Sequence, residues 1–79
     1  MTPKDFLGNI PKVGDIIAVI HNTSTRYSVL ARASVTGFKE TPKQIKMFIK
    51  PIDTKYLSRN YLILLDNQNN DQFIIINIY

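Results

Sequence analysis

Between residues 26 and 36 the chain reads RYSVLARASVT, and its two sides differ in character. Tyr27, Val29, Ala31, Ala33 and Val35 fall on one side, and Arg26, Ser28, Leu30, Arg32, Ser34 and Thr36 on the other. Period two sustained over this length is the spacing of a β-strand with one buried face, and no helix accommodates it. The small Ala31 and Ala33 suit the wall of a tightly curved barrel. Gly37 follows where a bulge or bend is useful, and Pro42 in KETPK lacks the amide proton that a central ladder needs.

The other segments follow the same grammar. Val13-Gly14-Asp15 is a turn leading into the β-branched run Ile16 to Ile20, whose two faces are both apolar. In TPKQIKMFIKP, residues 41–51, Ile45, Met47 and Ile49 point one way while Gln44, Lys46, Phe48 and Lys50 point the other. YLILL reads as a buried strand and DNQNND as a polar turn. QFIIINIY is the last strand, most simply paired with YLILL as a hairpin across residues 66–71. Near the start, TPKDFLGN reads as one helical turn with Thr2 as cap, Pro3 at the first position, Asp5 at the positive end and Gly8 as the left-handed stop. Asp53 or Thr54 is placed to cap a second short helical or 3₁₀ turn over residues 53–60. Five short strands in 79 residues predict one mainly all-β domain spanning 1–79. Its expected form is a small five-stranded SH3-like half-open barrel; an OB-type barrel, which wants longer strands and a proper helix, ranks second.

The stretches VGDIIAVIHN (13–22) and LARASVTGFKETPKQIKMFI (30–49), with a closing pair of strands, resemble a group of small phage-encoded proteins. Those carry an opening hGDxVA strand, a strand ending in TPK, and a basic hKV strand. The matching positions here are Gly14, Asp15, Ala18, Val35, Thr41, Pro42 and Lys43. The resemblance covers about half of the chain. It implies an SH3-like barrel and no particular activity.

Several classes of chemistry lack their residues. Cysteine is absent, so there is no disulfide framework, thiolate zinc site or cysteine nucleophile. His21 is the one histidine, without the companions that a set of three or four metal ligands requires. The carboxylates Asp5, Asp15, Glu40, Asp53, Asp66 and Asp71 fall mostly at turns, where capping explains them. The glycines are scattered, so no phosphate-cradling loop forms. The expectation is a protein that is not an enzyme and takes no cofactor. Met1 is followed by polar residues rather than a secretory h-region, and no apolar run approaches the ~20 residues of a membrane helix. The expected location is the cytoplasm, with no membrane partner.

Charge is where the sequence is most specific. The net charge is +4, but residues 26–59 alone hold eight cationic side chains against Glu40 and Asp53, a local excess of +6. Such asymmetry favours a polyanionic partner. Lys46, Phe48 and Lys50 share one strand face, and pairing of residues 26–36 with 44–50 brings Arg26 and Arg32 beside them. Lys43 and Arg59, with Tyr56, extend the set. A ring flanked by cations is the arrangement that single-stranded RNA or DNA prefers, the cations neutralising phosphate while the ring stacks a base. Phe48 is equally open to two other readings, a protein interface or core beneath a loop. A second candidate surface is the C-terminal strand, apolar on both faces. Phe73, Ile75, Ile76, Ile78 and Tyr79 are its interface candidates, for a homodimer through strand pairing or for another protein. Two functional expectations follow: a nucleic-acid-binding module, or an inhibitor or adaptor that occludes a host or defence protein such as a toxin, nuclease or polymerase. A structural role in a larger assembly is the third.

Overall fold

The computed structural model of the chain describes residues 2–22, 28–54, 57 and 59–77, and leaves the side chains at 21, 22, 28 and 29 undescribed. Five strands form one antiparallel sheet: β1 (Ile16–Asn22), β2 (Ser28–Glu40), β3 (Ile45–Pro51), β4 (Tyr61–Leu64) and β5 (Phe73–Ile75). Their order is β4-β3-β2-β1-β5, a meander of β1 to β4 with β5 added beside β1. The long β2 belongs to both halves. Its residues 28–34 pair with β1 and its residues 33–40 with β3. The register slips by one between Val35 and Gly37, so Thr36 and Gly37 together oppose Phe48. A bulge of this kind sharpens the local twist, and it falls where the sheet turns from one half to the other.

The core lies on one face of this rolled sheet. Ile17 and Val19 of β1, Ala31, Ala33 and Val35 of β2, and Ile45, Met47 and Ile49 of β3 meet Leu62, Leu64, Leu57 and Phe73 there, all buried. For β2 and β3 these are the apolar sets that the alternation separates from the polar side; for β1, apolar on both faces, the alternation leaves the choice open. Burial of each large side chain contributes about 1.5–3 kcal/mol. The opposite face of the sheet remains open to solvent.

Three local expectations are corrected. First, β4 and β5 do not form a hairpin. Residues 66–71 do turn the chain, with Asn67 at φ 57°, but β4 pairs with β3 and β5 with β1. Rolling the sheet brings its two edges close enough for one short turn to join them. The Gln72 side chain bridges the gap, donating from Nε2 to the Ile63 carbonyl at 2.8 Å. Asn70, buried beneath the turn, donates from Nδ2 to the carbonyls of Lys4, Leu65 and Gln68 and accepts from the Leu65 amide.

Second, no helix occurs among the described residues. The expected turn over 53–60 falls partly on residues 55, 56 and 58, which lie outside the described residues, as does the candidate Tyr56. Among those described, the Leu57 amide donates to the Asp53 carbonyl at 3.2 Å. Third, Thr2 does not cap the first turn. Its amide donates to Asp66 at 2.6 Å, and its hydroxyl donates to Asn67 Oδ1. The turn is organised by Asp5 instead. The buried Asp5 carboxylate accepts from the amides of Leu7 (2.9 Å) and Asn9 (2.8 Å) through Oδ1. Gly8 closes the turn at φ 89°, as expected of a left-handed stop.

The same carboxylate reaches across to β5. Asp5 Oδ2 accepts the Ile75 amide at 2.9 Å, and the Phe6 amide donates to the Phe73 carbonyl at 3.1 Å. These are backbone groups on the side of β5 away from β1, so the N-terminal turn occupies the edge on which a second copy would pair.

Candidate nucleic-acid interface

The alternation that buries Ile45, Met47 and Ile49 turns Lys46, Phe48 and Lys50 onto the outer face of β3. Phe48 is 37% exposed there, outside the core. Its partner on β4 is Tyr61, 45% exposed. The Ile49 amide donates to the Asn60 carbonyl at 2.9 Å, which makes Phe48–Tyr61 a pair without mutual backbone bonds. At such positions Cα atoms stand about 4.5 Å apart and facing side chains are closest. Two aromatic side chains therefore stand next to each other on the open face.

Lysines surround them. Lys46 Nζ sits 4.5 Å from the centroid of the Tyr61 ring, a cation–π contact. Lys39 of β2 stands directly opposite Lys46, and Lys50 opposite Ser34. Lys46 and Lys50 are separated along β3 by roughly 13 Å at the usual strand rise. Like charges facing each other across a sheet cost stability, and among the described residues no carboxylate forms an ion pair with Lys39 or Lys46. The one ion pair among the described residues is Arg32–Asp53.

That pair removes Arg32 from the cationic set. Its Nε and Nη2 each donate to Asp53 at 3.1 Å, and its backbone amide donates to the same carboxylate at 2.8 Å. The guanidinium hydrogen bonds hold Asp53 below the usual carboxylate range, and the Asp53 bond raises Arg32 above its ordinary value. The Ile52 and Asp53 amides in turn donate to the Arg32 carbonyl. Arg32 thus clamps the segment after β3 to β2.

The remaining candidates divide. Arg59 is exposed and lines a shallow hollow with Tyr61, Ile63 and Gln72, beside the aromatic pair. Lys43 is on the β2–β3 turn, sharing a hollow with Glu40 and Asp66, off the strand face. Phe73 is fully buried in the core and Ile75 packs against it, so neither is presented as a free surface. The Ile76 amide donates to the Ile16 carbonyl at 2.8 Å, continuing the β1–β5 ladder. Arg26, Ile78 and Tyr79 lie outside the described residues. Among the described residues no cluster of His, Asp or Glu could hold a metal ion, and no helix is long and apolar enough to cross a membrane.

The sequence reading leaves Tyr61 and Lys39 out of the candidate site and gives Gly37 only the role of a bulge or bend. Tyr61 was legible in principle, because YLIL alternates and Leu62 and Leu64 claim the inside.

A protein-family model described as a domain of unknown function, DUF7205, matches residues 3–62. The chain belongs to this family. The DUF7205 match spans the N-terminal turn through the first half of β4 and contains Gly37, Lys39, Lys46, Phe48, Lys50 and Tyr61. Neither the curated proteins nor the solved structures contain a match, so the resemblance to small phage-encoded proteins gains no support from these comparisons.

Proposed function

We propose that this protein is a non-enzymatic binding module that engages single-stranded nucleic acid on the outer face of β3 and β4. The observation that carries this reading is the Phe48–Tyr61 pair on an open sheet face, ringed by Lys39, Lys46 and Lys50, none of which forms an ion pair among the described residues. Exposed aromatic rings give unpaired bases a stacking surface, worth about 1–3 kcal/mol per base, and lysines bind the phosphates between them. Neither element requires a particular base, so the module reads backbone and unpaired bases with little sequence preference. Arg59 extends the cationic track past Tyr61.

The test is fluorescence anisotropy with short single-stranded RNA and DNA over a range of salt. Binding should weaken steeply as salt rises, and Lys46→Glu with Lys50→Glu should abolish it. Unchanged affinity in that double variant places the site elsewhere.

A second reading is a module that occludes a host or defence protein. It is supported by the other half of the outer face, where Phe6, Ile20 and Ile74 line one hollow and Leu30 stands opposite Ile20. Exposed apolar groups in such proximity are a feature of protein-binding surfaces. Capture of one stoichiometric protein from lysate after nuclease treatment would favour this reading over the first.

A further inference from the structure

Gly37 is a glycine within the longest strand, at its bulge, and a bulge calls for glycine only in the type where that glycine is left-handed. Glycine inside a strand is costly, because it loses more backbone freedom on folding and packs nothing. Two circumstances ordinarily justify it. One is a left-handed backbone conformation, which Gly8 and Gly14 adopt and Gly37 does not. The other is crowding, yet a Cβ built at Gly37 would meet nothing within 4 Å. The register adds a third consideration. Gly37 stands opposite Phe48, and an aromatic side chain so placed can fold over a glycine and cover its backbone. Here it does not, since no atom of the Phe48 ring comes within that distance of the Cβ position.

What the missing side chain creates is therefore space. The space opens on the face that carries Lys39, Lys46 and Lys50, with Gly37 backbone as its floor and Phe48 on the facing strand. A strand glycine accompanies a bulge, a tight bend, or a place where a ligand approaches the backbone closely. We propose that Gly37 floors a subsite for one unpaired nucleobase, which lies against the sheet beside Phe48 while the flanking phosphates reach Lys39, Lys46 and Lys50. The three uncompensated lysines select a polyanion, and the ring selects a planar aromatic group on it. This subsite rests on the nucleic-acid reading of the same face.

Gly37→Val decides it, because valine fills the space with a residue that strands favour and leaves every lysine in place. Thermal melting should show Gly37→Val at least as stable as the wild type, and Gly37→Ala likewise. Anisotropy with fluorescein-labelled oligothymidylate should show a loss of about tenfold or more for Gly37→Val, with the salt slope unchanged. Binding of inorganic polyphosphate, which has no bases, should be the same in both. Equal oligothymidylate affinity in Gly37→Val and wild type overturns the subsite and leaves the nucleic-acid reading standing. Absence of wild-type binding to oligothymidylate removes that reading and the subsite with it. A melting point well below wild type for both variants would show that the fold does need this glycine, and would equally overturn the proposal.

Discussion

Asp5 and Ile75 are joined by a hydrogen bond of 2.9 Å across 70 positions of sequence, from the strand amide to the buried carboxylate. Through it, the first turn of the chain closes the outer edge of the last strand. The other edge of the sheet is partly closed in a similar way, where the Gln72 side chain occupies the Ile63 carbonyl. Unprotected strand edges are templates for pairing with other chains, and here the β5 edge is met by the N-terminal turn and the β4 edge in part by the Gln72 side chain.

Replacement of Asp5 should therefore have two effects. Asp5→Ala leaves three amides without their acceptor, two in the turn and one in β5. At about 1–3 kcal/mol for each hydrogen-bonding group left unpaired, the loss should be ~3 kcal/mol or more, readable as a lower urea midpoint. The exposed edge should also make the variant self-associate, seen as concentration-dependent sedimentation. A monomeric variant of wild-type stability would contradict this role.

The aromatic pair should act without supporting the fold. Phe48→Ala and Tyr61→Ala each remove a half-exposed ring, so stability should change by about 1 kcal/mol or less. Affinity for single-stranded oligonucleotides should fall by about 1–3 kcal/mol for each. Titrations by anisotropy, paired with urea melts of the same variants, separate the two effects.

Among the cations, position should decide the outcome. Lys39→Met, Lys46→Met and Lys50→Met should each lower the slope of log affinity against log salt by about 1. Arg32→Met should leave that slope unchanged and lower the melting temperature, because the guanidinium is committed to Asp53. A slope that changes for Arg32→Met and for none of the lysines would refute the assignment.

Acid should weaken the clamp formed by the same pair. The folded Asp53 carboxyl titrates below its ordinary range because the Arg32 hydrogen bonds favour its charged form. Asp66 is lowered as well, chiefly by the Thr2 amide. A carboxylate that is depressed on folding binds protons more readily when unfolded. Its stabilising contribution is therefore present above about pH 4, the unfolded value, and is lost as pH falls through the lower folded value. Asp53→Asn should be less stable than wild type at neutral pH and should lose less stability between about pH 4 and pH 2. Parallel pH profiles measured by circular dichroism for the two proteins would exclude the effect.

How much of this was legible before folding depends on the range of the interaction. Ile45, Met47 and Ile49 on one side of β3 and Lys46, Phe48 and Lys50 on the other follow from a period of two, a property of the strand itself. Gly14 at its turn and the bulge beside Gly37 are equally local. The pairing of β4 and β5 was misjudged because adjacency in sequence favours a hairpin, whereas burial of Leu62, Leu64 and Phe73 in one core is satisfied only by rolling the sheet. The long-range roles of Asp5 and Asn70 had no local signature, since each side chain also serves a backbone group more than 60 residues away, and the Thr2 amide meets the Asp66 side chain across 64 positions. Arg32 counted as an available cation for the same reason: its partner Asp53 is 21 positions distant.

The clasp between the two ends of the chain also constrains when the protein can form. Thr2 with Asp66, Asp5 with Ile75, and Ile16 with Asn77 are all made by residues more than 60 apart. The loop-closure entropy is met before these bonds return anything. A nascent chain synthesised only as far as β4 has no β5 to complete the core. Native structure should consequently appear in one step once β5 is available, rather than growing strand by strand during synthesis.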